Sequence, residues 1–275
     1  MTNRADTHTN AIAERNRVRR PNVDRDRYSD PGLRRRPRLL VSVRSIAEFE
    51  TVVKYRPDLI DLKEPRNGSL AATSPALWHS IAGHTATGCQ GNELSIALGD
   101  GHDGASLADA VPRQAMYAKL GFANCRTLAV VGEIYQTFRS ALPSPVHAVA
   151  VAYADQEVAG CPSPDEFIAA ADSIGFQHLL IDTFGKNDRW WNLRGDEPRW
   201  QRYVRSARES GLSIAMAGRL TLEDLQTIVS NDVAVPDIVG VRSAVCDGDR
   251  TDTVSSRLLR AAVAIMRDPK TEIVR

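Results

Sequence analysis

A chain of 275 residues has room for one large domain or two small ones. Its 43% hydrophobic and 25% charged residues are ordinary globular averages, which exclude a chain disordered throughout, and no apolar run approaches the roughly 20 residues of a spanning helix. The formal net charge of +1 conceals an asymmetry: eleven arginines and five acids fall within residues 1–38, leaving a mildly acidic remainder.

Residues 1–37 lack the apolar core of a secretory signal and carry Asp6, Glu14, Asp24, Asp26 and Asp30. A solvated, basic N-terminal extension is expected there, with RNA association or an oligomer contact as competing readings. From Arg38 onward, short apolar runs alternate with amphipathic segments. The runs are RLLVSV (38–43), DLIDLK (58–63), ELSIALGD (93–100), MYAKLGF (116–122), HAVAVAYAD (147–155), HLLIDTF (178–184), SIAMAG (213–218) and DIVGVRS (237–243). Eight apolar strands of one kind predict a parallel sheet closed on itself, a (β/α)8 TIM barrel, as a single α/β domain over 38–268 with a short tail at 269–275. Helices are expected over 45–55, 75–82, 106–110, 125–140, 163–174, 197–210, 222–230 and 253–267. Ser163-Pro164 reads as an N-cap and first turn, and Gly175 and Gly211 as C-terminal stops. The third unit is the least marked, because the stretch GDGHDGASL is rich in glycine.

The four cysteines are scattered and form no CxxC pair, which argues against a zinc site and a disulfide framework and favours a reducing cytoplasm. His102 and Asp103 lack the further ligands that a metal needs, so no metal is expected. The ionisable residues are more informative. Barrel enzymes place their catalytic groups at the C-terminal ends of strands, and Asp61, Lys63, Asp100, Lys119, Asp155, Asp182 and Lys186 all fall at such ends or just beyond. Residues two apart share a strand face, so Asp61 points the same way as Lys63. Lys63, Lys119 and Asp182, from alternate strands, are expected in one layer at the top of the barrel. A lysine that is partly desolvated or near another cation yields free amine more readily. That amine can add to a carbonyl and form an imine, with Asp61 and Asp182 orienting the lysines and moving protons. The competing reading is a set of structural ion pairs. In the last two units Gly218, Arg219, Gly240 and Arg242 suit a phosphate cradle of backbone amides and cations, although the glycines could equally make tight turns. Ser69, in the turn after the second strand, would suit the same phosphate. Trp190, Trp191 and Trp200 are expected to pack over the sixth strand's loop.

The segments IDLKEPRNGSL (60–70), YAKLGF (117–122), AYAD (152–155), LIDTFGK (180–186), AGRL (217–220) and DIVGVRSAVCDGDR (237–250) occur in order over residues 38–262. In these the chain resembles the (5-formylfuran-3-yl)methyl phosphate synthase family of methanofuran biosynthesis. The resemblance implies a (β/α)8 barrel that condenses two molecules of glyceraldehyde 3-phosphate with loss of one phosphate and two waters. It also implies that Lys63 is the imine-forming lysine and Lys119 its acid–base partner, with Asp61, Asp182 and Lys186 supporting them and Asp155 among the substrate contacts. No cofactor is implied, and no nucleic acid or membrane partner; homo-oligomerisation stays open. Ala71, Arg219 and Ser243 depart from the family pattern around the phosphate loops. Two rivals remain: another Schiff-base aldolase of a phosphorylated sugar, and a non-catalytic barrel scaffold with a nucleic-acid-binding tail. The scaffold predicts lysines paired away from any pocket, and the enzyme predicts both in one open cavity.

Overall fold

The computed structural model describes residues 36–87, 92–185, 198–231 and 234–271. Nearly all of the expected basic extension, together with Lys186, Trp190 and Trp191, lies outside the described residues. The strands are β1 (Arg38–Val43), β2 (Leu59–Leu62), β3 (Glu93–Asp100), β4 (Tyr117–Gly121), β5 (His147–Tyr153), β6 (His178–Asp182), β7 (Ser213–Met216) and β8 (Ile238–Val241). Each pairs in parallel with the next, and β8 returns to β1, so the sheet is a closed eight-stranded barrel. Each strand falls within the apolar run that predicted it, with its ends trimmed by up to two residues.

Strand alternation divides the apolar side chains into two cores. Outward residues such as Val41, Leu62, Ile96, Leu120, Ile181 and Met216 pack against the surrounding helices in a large buried cluster. Inward residues, including Leu40, Leu59, Tyr117, Val149, Leu180 and Ile238, form a second cluster inside the barrel. Ser42, Ser95, Ala97, Ser213, Ala215 and Gly240 stand on the same inward faces, and side chains this small leave the interior open from above. At the opposite rim, Asp58 Oδ2 accepts the Leu39 N–H and Asp237 Oδ2 the Ile214 N–H, each at 2.8 Å. These two carboxylates satisfy strand amides where the ladder runs out.

The helices are α1 (Ile46–Val52), α2 (Pro75–Thr87), α3 (Gly101–Ala105), α4 (Leu128–Ala141), α5 (Gln156–Ala159), α6 (Pro164–Ala169), α7 (Ala171–Ile174), α8 (Arg199–Glu209), α9 (Leu222–Val229) and α10 (Ser256–Arg267). The third unit differs from its expected form. Its α-helix is the glycine-rich stretch itself, and 108–110 is a separate 3-10 turn. A Cβ on Gly104 would lie 2.6 Å from Leu120 Cδ1 and 2.9 Å from the Leu98 carbonyl oxygen, so the glycine lets α3 press directly on the sheet. The segment expected at 125–140 starts three residues later, where the Thr127 side chain accepts the Val130 N–H and caps α4. The helix expected over 163–174 is two short helices parted at Ala170. Trp200 is buried in α8 within the outer core.

Candidate active site

A cavity opens at the C-terminal ends of the strands and reaches into the barrel. Lys63, Lys119 and Asp182 all line it. They come from β4, from the end of β6 and from the residue just past β2, and the inward parity of each strand brings them together.

Asp61 is the most enclosed member, with no exposed surface. Its Oδ1 lies 2.6 Å from Lys119 Nζ and accepts the Ser95 hydroxyl at 2.9 Å, while Oδ2 accepts the Ser42 hydroxyl at 3.1 Å. Register explains this arrangement, because Ser42, Asp61 and Ser95 are direct partners across β1, β2 and β3. Lys119 reaches the same carboxylate from one step higher on β4. Asp61 and Lys63 share a face, as parity requires, but Lys119 holds the ion pair.

Lys63 donates its backbone N–H to the Val43 carbonyl and is half-buried, with its side chain on the cavity wall. Burial pushes its ammonium below the usual lysine range; Asp182 and Asp61 oppose that shift, while Lys119 and Arg250 reinforce it. Asp182 is buried beside it and accepts the Thr183 N–H at 2.7 Å. The arrangement therefore holds one lysine fixed in an ion pair and one with an amine that deprotonates more easily than usual.

Among the expected phosphate contacts, Gly218 and Arg219 line the mouth; both have left-handed backbone, with φ of 102° and 57°, and the Arg219 side chain is exposed. Gly240 lines the wall, where a Cβ would come within 3.3 Å of Ala217 Cβ and narrow the cavity. Ser69 is also a wall residue, and its hydroxyl is buried and makes no hydrogen bond among the described residues.

Two expected contacts have other roles in the structure. The guanidinium of Arg242 is fully used: it donates to both Glu48 carboxylate oxygens, at 2.6 and 2.9 Å, and to the carbonyls of Ser42, Arg250 and Asp252. With five donors committed it ties β8 to β1 and α1 and has none left for a phosphate. Asp155 is not on the cavity wall. Its carboxylate accepts the Phe184 and Gly185 amides at 2.8 and 2.7 Å and so shapes the loop after β6.

The cation that the sequence reading missed is Arg250. It lines the cavity, donates to the Gly68 carbonyl at 2.8 Å and to that of Pro65, and so ties the loop after β8 to the loop after β2. It stands in the same quoted segment as Arg242. Only the distant Glu48 distinguishes the two, and that partner has no signature in local sequence.

A closed parallel barrel with lysines and carboxylates gathered in a cavity at the strands' C-terminal ends defines a (β/α)8-barrel enzyme. Solved structures agree on the fold: phosphoribosyl anthranilate isomerase from Thermus thermophilus superposes with a TM-score of 0.55 at 14% identity, covering 84% of this chain and 98% of its own. The family described as 4-HFC-P synthase matches residues 39–263. Relatives named (5-formylfuran-3-yl)methyl phosphate synthase include one from Methanosarcina barkeri, 31% identical over 82% of this chain and 98% of its own length. Another, from Methanosarcina acetivorans, is 32% identical over 75% and 89%. The chain belongs to the 4-HFC-P synthase family.

The Arg242 clamp yields a stability prediction. In Glu48→Gln the guanidinium keeps its carbonyls but loses its buried counter-charge, at a cost of about 3 kcal/mol. Urea denaturation followed by circular dichroism should show the midpoint falling with an unchanged slope.

Proposed function

We propose that this protein makes (5-formylfuran-3-yl)methyl phosphate from two molecules of glyceraldehyde 3-phosphate, through an imine on Lys63, for the biosynthesis of a methanofuran-type cofactor. Family membership supports the product. The observation that carries the mechanism is the asymmetry between the lysines, with Lys119 locked to Asp61 at 2.6 Å and Lys63 half-buried with its ammonium destabilised. Both line one cavity, which favours the enzyme over a scaffold whose lysines are paired away from a pocket.

In this reading the neutral Lys63 amine adds to the aldehyde of one triose phosphate and loses water to give an imine. The imine's charge acidifies the neighbouring carbon, and the Lys119–Asp61 pair takes that proton to leave an enamine. Expulsion of one phosphate, carbon–carbon bond formation to the second triose, ring closure and loss of water complete the furan. Two trioses lose one phosphate and two waters overall, which balances the product without an oxidant. The retained phosphate lies toward Arg250, Arg219 and the backbone at Gly218.

Purified protein incubated with glyceraldehyde 3-phosphate should develop a furan ultraviolet chromophore and release inorganic phosphate in equal amounts. Absence of product rejects the assignment and leaves other phosphorylated sugars to be tried as aldolase substrates. Borohydride should trap the imine on the peptide containing Lys63, and Lys63→Ala should abolish trapping. A label on Lys119 would reverse the two roles. Lys119→Met should keep trapping while furan formation slows by about 10²–10⁴-fold.

The pH dependence has a definite sign. The neutral amine is the reactive form, so the trapping rate rises as pH passes the Lys63 pKa, and burial places this limb below that of an ordinary lysine. Asp182 favours the ammonium, so Asp182→Asn should move the limb to lower pH. Lys119 opposes it, so Lys119→Met should move the limb higher. Stopped trapping assays across pH read both shifts.

A further inference from the structure

A cleft of about 300 Å³ opens at the N-terminal ends of the strands, on the face of the barrel opposite the lysines. Three segments build it: residues 36–39 entering β1, residues 56–58 entering β2, and the end of α10 at 263–267. Leu39, Pro57, Val263 and Met266 are buried and supply its apolar lining. Its size is at the small end of the range for metabolite sites. Arg36, Arg38, Arg56 and Arg267 also line it, against a single acid, Asp58.

Two of these five charges are already engaged. Arg38 is ion-paired with Glu93, and Asp58 uses Oδ2 to accept the Leu39 N–H at 2.8 Å. Arg36, Arg56 and Arg267 are exposed and make no ion pair among the described residues. Three guanidinium groups therefore share one cleft with one partly committed carboxylate. Burial lowers the Arg36 pKa, Asp58 opposes that shift and Arg267 adds to it, so these two cations stand within each other's field. Arg56 adds a backbone observation. It ends the 3-10 turn after α1 in left-handed conformation, with φ of 52° and ψ of 58°, and donates its N–H to the Val53 carbonyl at 3.2 Å. Glycine is the usual residue at such a cap, because a Cβ is disfavoured there. The chain instead keeps a long cationic side chain where its backbone favours none. A cation in the last turn of α10 answers the helix dipole and accounts for Arg267. It accounts for neither Arg36 nor Arg56, which come from other segments.

We propose that this cleft is a binding site for a ligand that bears a diphosphate group and is about the size of a nucleoside diphosphate. A planar guanidinium presents paired N–H donors that match phosphate oxygens. A diphosphate offers oxygens on two phosphorus atoms and can engage cations arriving from three segments, whereas a single phosphate leaves part of the charge unmatched. The apolar lining receives the uncharged end of the ligand. A nucleic-acid strand fits less well, because its phosphates follow a line and these cations converge on one cleft. The site lies at the far end of the strands from Lys63, so it is independent of the imine chemistry. Bound there, the ligand ties the entries of β1 and β2 to α10, and by favouring the folded protein it raises the melting temperature.

Isothermal titration calorimetry on the full chain, with ADP and inorganic pyrophosphate as probes, tests the site. Arg56→Gly is the informative variant, since glycine suits the left-handed cap and the protein should melt at or above the wild-type temperature. Wild type should bind both probes, and Arg56→Gly and Arg267→Gln should each weaken binding by about tenfold. Arg250→Ala, at the other end of the barrel, should leave this binding unchanged. No heat of binding at millimolar probe overturns the proposal. So does binding that survives both cleft variants unchanged, or that is lost in Arg250→Ala, because the probe then sits elsewhere. Inorganic phosphate should bind more weakly than pyrophosphate; equal affinity reduces the cleft to a general anion patch and overturns the diphosphate assignment. A single-stranded oligonucleotide that binds more tightly than ADP, and loses that advantage in Arg56→Gly, overturns the small-ligand reading in favour of a nucleic-acid strand.

Discussion

The ion pair between Asp61 and Lys119 sets the terms for the rest of the barrel interior. Two charges in a barrel core are costly to desolvate, and their attraction repays the cost only when the remaining polar atoms are also satisfied. Asp61 meets this condition through two hydroxyls and an ammonium at 2.9, 3.1 and 2.6 Å. Serines are therefore required at positions 42 and 95, where a barrel core would otherwise carry branched aliphatic residues. These small residues in turn open the cavity below Lys63. Because Asp61 is already committed, Lys63 shares only the more distant fields of Asp182 and Asp61 against Lys119 and Arg250. One carboxylate thus decides the different electrostatic states of two lysines that the sequence makes look equivalent.

The two arginines that follow β8 show the same economy. Arg242 spends all five donors on Glu48 and three carbonyls, a set that spans β1, α1 and its own loop, and it closes the barrel at the β8–β1 seam. With that loop fixed, Arg250 can reach across the mouth to the carbonyls of Pro65 and Gly68 while facing the cavity. A cation at the mouth is useful to an anionic ligand only if its position is set beforehand, and the neighbouring clamp sets it. A structural arginine and a ligand-facing arginine are in this way parts of one device.

What was legible in the sequence follows from how far each interaction reaches along the chain. The eight strands were readable because each is a local apolar run, and their inward faces followed from a period of two. That period alone places Lys63, Lys119 and Asp182 on the barrel interior. The partner of Lys119 was not readable, since Asp61 lies across β3 and its pairing depends on register between strands. The exchange of roles between Arg242 and Arg250 depends on Glu48, almost two hundred residues away in sequence. Asp155 was misplaced because it ends the apolar run HAVAVAYAD, whereas β5 stops at Tyr153 and the carboxylate turns to the amides of the next loop. The third helix was misread because glycine is penalised in helices by propensity, while here close packing against Leu98 and Leu120 requires it.

Asp100 is the sharpest case of this limit. Alternation along ELSIALGD assigns it to the helix-facing side, and a reader who trusts the period alone would set it aside as a polar strand end. One inserted residue reverses the assignment, because a strand's facing has period two and a bulge shifts everything beyond it by one. The reversal brings a carboxylate to Tyr153 one tier above Lys119. The interior then has two polar tiers of different character. The lower is an ion pair saturated with hydrogen bonds, and the upper is a carboxyl–phenol pair with one carboxyl oxygen accepting both the Tyr153 hydroxyl and the Ala123 N–H. The two tiers thus differ in how fully each carboxylate is occupied, and register between strands, regular in one and bulged in the other, decides both.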